Sequence, residues 1–514
     1  MFLNSRVWAW LVTVLLVSLG ACKPKSAPVV VETQTPRVDL FVEDLTPPQS
    51  ETWEAHYVRN AKVGHRHTQI FDVGTSDRPL IKIVATDILQ FRRFGTVSEQ
   101  ELTMISLETP AGDVRQFAYR LRCETSETVV KGTVDGEQLR LMRLGSKQPQ
   151  LRLPWSDRQH GLFAIKRSLQ LNPMHAGERR TVDSFVALAD RIVSYNLVAK
   201  EKEETDVAGQ SRRLLRIDTI DQRASGWKLP TSYWTDEDGR ILKMREAHLD
   251  RETIVLNRDT ALKANDLFKL DLGSDVGIPV STPIKQPDQL KQALYRVRTD
   301  DLQPADVFPV SPSQQVTPAE PGVAMVRVTK ATATTPEQLD QISPPTPEDL
   351  APNELIQSNH PRVVSLANAV AESIEDPWEA AIRLEQYIYQ ILEKEDYAQI
   401  FNSAGEVAER RTGDCSEHAV LLAAACRARQ IPAKVVVGLI YAPRSQSFLY
   451  HMWTEVWIND RWIPLDATRG QGGINATYLK FRDSNLARET AYNFVTPVMY
   501  LIDRLHIEVI TAET

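Results

Sequence analysis

Cys415, His451 and Asp466 are the residues whose types and chain order could do chemistry together. A thiol can attack a carbonyl carbon, and an imidazole can take its proton. A carboxylate can then fix the imidazole tautomer and support the imidazolium. Cys415 lies in Gly413-Asp414-Cys415-Ser416-Glu417-His418-Ala419, at the start of a helical pattern in which Ala419, Leu422 or Ala423, and Cys426 mark one buried face. N–H groups at a helix start are unpaired and carry partial positive charge, a setting that favours thiolate and makes a cysteine reactive. Gly413 would let the chain turn sharply, and Gln430-Ile431-Pro432 ends the pattern.

The elements that must position the other two residues are strands. Ala433 to Tyr441 is a β-branched apolar run, Tyr450 to Ile458 alternates, and Arg461 to Ala467 is a third strand. Asn459-Asp460 reads as a two-residue hairpin turn. With Ile458 facing Arg461, Trp457 meets Trp462 and Trp453 meets Asp466. His451 and Asp466 then project from one face as diagonal neighbours, roughly 7–8 Å apart at the backbone. A three-residue loop with a bulge would break that pairing. By residue type alone, a cysteine beside alanine and leucine is a small core residue and a lone strand histidine is structural. The shared face is what sets these apart. His418, three residues after Cys415 on the helix, competes as the base.

These blocks, with Cys426-Arg427-Ala428, Ile431-Pro432-Ala433, Gly438, His451-Met452-Trp453-Thr454-Glu455-Val456 and Trp462-Ile463-Pro464-Leu465-Asp466-Ala467-Thr468, resemble the core of the transglutaminase-like superfamily. The resemblance covers roughly residues 360–482. It implies a papain-like fold with Cys415 as nucleophile, His451 as base and Asp466 as its orienter, and it favours His451 over His418. It also implies protease, amidase or acyltransferase chemistry on a protein or peptide substrate, which could be cell-wall peptide. Nothing resembles the accessory domains of animal transglutaminases, so calcium dependence does not carry over. The pattern implies no metal and no cofactor. Trp453, next but one to His451, is the aromatic expected to line a substrate channel. Glu455 reads as structural or as a hydrogen-bond partner behind the site.

The chain has 514 residues, enough for two to four domains, and a net charge of −7 without a basic run, which excludes nucleic acid as a partner. No feature of it sets an oligomeric state. Residues 1–22 read as a targeting segment, with Val7 to Leu19 almost wholly apolar and short for a membrane span. Leu19-Gly20-Ala21-Cys22 resembles a bacterial lipobox, which implies lipidation of Cys22, a membrane anchor and an envelope location. Lys23, where an acidic retention signal would stand, implies the periplasmic side of the outer membrane. Residues 23–45 read as a tether. Disulfides persist outside the cytoplasm. Cys426, though, lies eleven residues beyond Cys415 on the same helix, about 16 Å away at ~1.5 Å per residue, and Cys123 reads as a buried core thiol.

The fold class expected is α+β. A large, mainly antiparallel β region over 46–268, with a helical break at Gly161 to Leu171, precedes a papain-like core over 358–514. The segments Gly136-Glu137-Gln138-Leu139-Arg140-Leu141-Met142 and Gly239-Arg240-Ile241-Leu242-Lys243-Met244 look alike and hint at two related halves. The region reads as a packed sheet that positions or covers the catalytic domain, the alternative being a sheet curled over a lipid or peptide groove. His56, His65 and His67 lack a carboxylate or cysteine at metal-binding spacing. Residues 270–361 hold 14 of the 30 prolines, which argues against long helices or central strands there. A linker over 269–357 with a small β unit (Gln292 to Arg298, Gly322 to Thr329) is expected, mobile over Ala333 to Asn353. The function expected is a lipid-anchored cysteine enzyme of acyl transfer from amides, hydrolysing rather than crosslinking. A scaffold that binds peptide or cell wall without turnover is the alternative.

Overall fold

The computed structural model describes residues 40–514 except 42–45, 94, 124–125, 145–150, 222–229, 247–249, 272, 274, 301, 332–342 and 395–401. The targeting segment, Cys22 and nearly all of the tether lie outside the described residues. Contacts separate Met1–Val42 from Glu43–Thr514, and the helices and strands of the described residues all belong to the second unit. No helix among the described residues is long and apolar enough to cross a membrane.

Alternating sequences between residues 50 and 256 form a sheet of fifteen strands among the described residues, nearly all antiparallel. It is two meanders laid side by side. The first runs from Ser50–Val58 to Leu151–Pro154 and the second from Gln159–His160 to Arg251–Leu256. They join where the first strand of one pairs with the last strand of the other, Trp53 opposite Leu256. The look-alike segments fall on Gln138–Arg143 and Ile241–Glu246, the penultimate strand of each meander. The helical break is a helix at Ala164–Leu171. One of its strands, Ile81–Arg93, runs thirteen residues without a clear alternation in the sequence. Lys82 and Asp87, both buried in it, blur its alternation.

The proline-rich stretch is not a linker around a separate unit. Gln314–Glu320, Val323–Thr329 and Gln292–Thr299 form a four-stranded sheet that ends on the C-terminal strand Leu505–Glu513. Tyr295, Val297, Phe308 and Val326 share one core with Ala419 to Cys426 and Val435. Ile278 and Pro279 pair with Phe448 and Ser447 on the strand that carries His451. Proline breaks ladders locally, but edge positions and turns tolerate it, so the segment folds around the C-terminal core. Of the stretch expected to be mobile, residues 333–342 lie outside the described residues. The remainder is docked, with Asp349 capping a short turn and the carbonyl of Ala351 accepting from Arg427 Nη1 at 2.7 Å.

The C-terminal core places the helix Cys415–Ala428 behind a sheet whose strands run Tyr478–Ser484, Ala433–Ala442, Ser447–Ile458 and Arg461–Leu465. The helices Pro361–Ala371, Pro377–Ile391 and Ala404–Arg410 pack around it. Its burial departs from the single face expected: every residue from Ser416 to Arg427 is buried. Alanines at 419, 423, 424 and 425 leave short side chains all round, so neighbours approach from every side.

The large sheet rests on this core. Val58, Ala61 and Val63 pack with Leu270, Val276, Ile502 and Tyr450, the residue before His451. Arg59 pairs with Asp503 at 2.5 Å, and Asn493 donates to the carbonyl of Ala189. His56, His65 and His67 do not form a cluster that could hold a metal ion. His56 sits between Thr253 and Asp87, and His67 stacks on Trp53 and pairs with Glu51.

Candidate active site

Asp414 caps the cysteine helix. Its carboxylate accepts from the N–H of Ser416 at 2.7 Å and from that of Glu417, while Glu417 Oε2 accepts from the N–H of Asp414 at 3.0 Å. This reciprocal box satisfies donors that would otherwise be orphaned and fixes Cys415 as the first helical residue. Gly413 serves this box and not a sharp turn. It lies in a short strand pair with Lys394, and a Cβ there would lie 2.3 Å from Cβ of Glu417. Burial and the neighbouring Asp414 push the Glu417 carboxyl well above its ordinary range.

The hairpin turn at Asn459-Asp460 is the one expected. Both residues have positive φ, 49° and 59°, as a type I′ turn requires. Ile458 faces Arg461, Trp457 faces Trp462 and Thr454 faces Leu465. With no bulge between them, His451 and Asp466 come together: His451 Nε2 lies 2.8 Å from Asp466 Oδ2. That leaves Nδ1 for the Cys415 thiol, whose proximity raises the proton affinity of the ring. The cysteine helix is tied to this strand by Thr454, whose hydroxyl donates to the carbonyl of Ala419 at 2.9 Å. The structure thus brings Cys415, His451 and Asp466 into one place.

Electrostatics follow from burial and pairing. Burial opposes a charged His451, but the Asp466 carboxylate and the Cys415 thiol outweigh it and push the ring up to about 10. Burial would raise Asp466, yet His451, with hydrogen bonds from Tyr478 and Thr468, holds it well below the usual carboxylate range. The Tyr478 hydroxyl donates to Oδ2 at 2.7 Å, and Thr468 donates its N–H and hydroxyl to Oδ1 at 2.8 and 2.7 Å. The His451 side chain is 11 % exposed and that of Asp466 is 1 % exposed, so solvent reaches the ring and not the acid.

Trp453 does not line an open channel. It is 2 % exposed, with its ring 6.4 Å from that of His451 and edge-on to Tyr478 at 5.4 Å. Gly438 makes room for it: a Cβ there would lie 2.6 Å from the indole and 2.1 Å from the Leu479 carbonyl oxygen. His418 is also buried, its Nδ1 donating to the carbonyl of Asp414 at 2.6 Å. Glu455 is structural, bonded to Lys480 Nζ at 2.9 and 2.7 Å. Cys123, Cys415 and Cys426 are thiols and not disulfide halves; Cys123 and Cys426 are buried, whereas Cys415 is partly exposed.

Two residues bear on the site through contacts that sequence spacing does not show. Tyr478 follows a glycine-rich loop in which no periodicity points back to Asp466. Glu385 stands in the apolar stripe of the helix Pro377–Ile391, where a charged residue was itself the signal. It is fully buried, and its oxygens accept from the N–H groups of Asp466 and Gly472 at 2.9 and 2.6 Å.

Residues 364–467, which contain all three triad positions, match the family model of the transglutaminase-like superfamily. The C-terminal region therefore carries a transglutaminase-like domain, preceded by a large β region. No curated protein matches the chain. Solved structures similar to it include a presumed cysteine protease from Cytophaga hutchinsonii, 16 % identical over 44 % of this chain and 89 % of that one, TM-score 0.28. A β-barrel-like protein from Brucella abortus is 10 % identical over 40 % and 93 %, TM-score 0.31. The periplasmic domain of TgpA from Pseudomonas aeruginosa, bound to ethylmercury, is 15 % identical over 36 % and 92 %, TM-score 0.23.

Proposed function

We propose that this protein is a cysteine enzyme of acyl transfer from amides, with Cys415 as nucleophile, His451 as base and Asp466 as orienter. The observation that carries this reading is the 2.8 Å contact between His451 and Asp466, made on a ring whose other nitrogen is left for the thiol. His451 holds the proton taken from the thiol while sulfur bonds to the carbonyl carbon and the C=O pair moves onto oxygen. The imidazolium returns the proton to the leaving amine, and a thioester remains. Water, losing a proton to His451, then attacks the thioester and releases a carboxylic acid and the free thiol. The N–H groups of Asp414, Ser416 and Glu417 are committed to the capping box, which singles out the N–H of Cys415 as the oxyanion donor from this turn.

Hydrolysis of a protein or peptide amide is favoured over crosslinking. Water is always present, and excluding it would require a dry tunnel for an amine. Lipidation at Cys22 would hold the enzyme on the periplasmic side of an outer membrane; Cys22→Ser should release it into the soluble fraction. The activity is tested with a thiol-directed amide-mimic probe and with peptide, glutamine-amide and peptidoglycan substrates. Cys415→Ala should abolish both labelling and turnover. Undiminished labelling in that variant removes Cys415 from the mechanism, and binding without product in the wild type favours a scaffold.

A further inference from the structure

The helix Pro377–Ile391 grips the loop that follows Asp466 along one face. Ile382, Glu385 and Tyr389, at positions i, i+3 and i+7, point the same way. A Cβ at Gly472 would touch Ile382, and one at Gly470 would lie 2.9 Å from the Tyr389 side chain. Gly470, Gly472 and Gly473 all have positive φ, from 60° to 129°, so this loop holds its shape through conformations that residues with a Cβ rarely adopt. At the centre of the grip is the buried Glu385, bonded to Asp466 N–H and Gly472 N–H.

We infer that Glu385 is a positioning residue for the triad, its carboxylate clamping Asp466 to the loop through Gly472 and thereby setting the angle at which Asp466 meets His451. This rests on the triad reading above. An ionised carboxylate accepts both N–H groups in charge-assisted bonds. A protonated one presents an O–H, which faces one of those N–H groups as a poor acceptor. The clamp is therefore complete only when Glu385 is ionised. Burial, with Asp466 adding to it, pushes the carboxyl up to about 7 against the pull of the N–H bonds. Asp466 and Tyr478 face it from the sheet and loop side and Cys426 from the cysteine helix. None of these is a cation that would hold it ionised. The clamp then loosens as pH falls through neutrality.

The test uses the full chain and two readouts that do not need turnover. In the wild type, protection of the Asp466 and Gly472 amides against hydrogen exchange, corrected for intrinsic rates, should fall about tenfold between pH 8 and pH 6. The imidazole N–H resonance of His451 should broaden or shift over the same interval. In Glu385→Gln, which offers one acceptor oxygen at every pH, both readouts should be flat and match the low-pH wild type. Glu385→Asp should restore part of the pH dependence. Constant protection at the two amides in the wild type, a result that requires no variant to fold, overturns the inference. So does a His451 resonance whose pH dependence is unchanged in Glu385→Gln. Absence of Cys415 labelling in the wild type, with these readouts as expected, would sink the proposed function and leave the clamp standing.

Discussion

The Thr454 hydroxyl donates to the carbonyl of Ala419 at 2.9 Å, three residues after His451 on its strand and four after Cys415 on its helix. It is a direct polar tie between the element that carries the thiol and the element that carries the imidazole. Thr454→Val keeps the side-chain shape and removes the bond, at a net cost of about 1 kcal/mol. The expected result is a small loss of thermal stability with a larger, roughly tenfold or greater, loss of turnover, because the alignment of two reacting atoms depends on the tie. Equal, minor losses in both would mean that packing alone sets the distance.

The His451–Asp466 pair makes stability depend on pH with a definite sign. The His451 value is raised in the folded protein to about 10 from an ordinary 6.5. Its contribution is therefore fully present below about 6.5 and lost as pH rises through 10. Asp466 is depressed from 3.8, so its contribution is present above that value and lost as pH falls toward its folded one. His451→Gln should lower the melting temperature most between about pH 4 and 6.5, with the gap closing toward pH 10. A gap independent of pH would show that the pair does not titrate as a unit.

Tyr478→Phe removes one of the four hydrogen bonds to the Asp466 carboxylate without changing shape. Turnover should fall several-fold while the fold persists. Asp466→Ala should cost far more, since it strands a buried imidazole whose partner is gone. Removing one member of a buried pair costs roughly 3–5 kcal/mol. Denaturant titration of the two variants side by side checks the ranking.

Gly438→Ala should be poorly tolerated despite the small change. The new methyl would meet the Leu479 carbonyl and the Trp453 indole at distances real side chains do not adopt, so the backbone around Gly438, which pairs directly with His451, must shift. The expected signature is a lowered melting temperature together with loss of activity. Trp453→Phe in the Gly438→Ala background should recover part of both.

Much of this site could be read from the chain because local chemistry determined it. Asn459 and Asp460 suit positive φ, the two-residue turn sets the register, and the register brings residue 451 to residue 466. Asp414 and Glu417 carry a capping box in their spacing alone. What sequence reading missed depends on contacts between distant segments. Trp453 reads as an aromatic next but one to His451, and only Gly438 across the sheet and Tyr478 beside it show that it lies underneath. The prolines of 270–361 argued for a linker, since proline is poor in a ladder. They said nothing of Tyr295 and Phe308, which bury themselves in the catalytic core. The strand Ile81–Arg93 was hidden by charged residues that are buried by their neighbours in the sheet.

The most direct measurement is peptide-mapped mass spectrometry after reaction with an amide-mimic electrophile, comparing the wild type with His451→Gln. The account predicts one adduct, on Cys415, in the wild type, and a rate at least tenfold slower in the variant, with Cys123 and Cys426 unmodified in both. Modification of Cys415 at the same rate in the two proteins would contradict it.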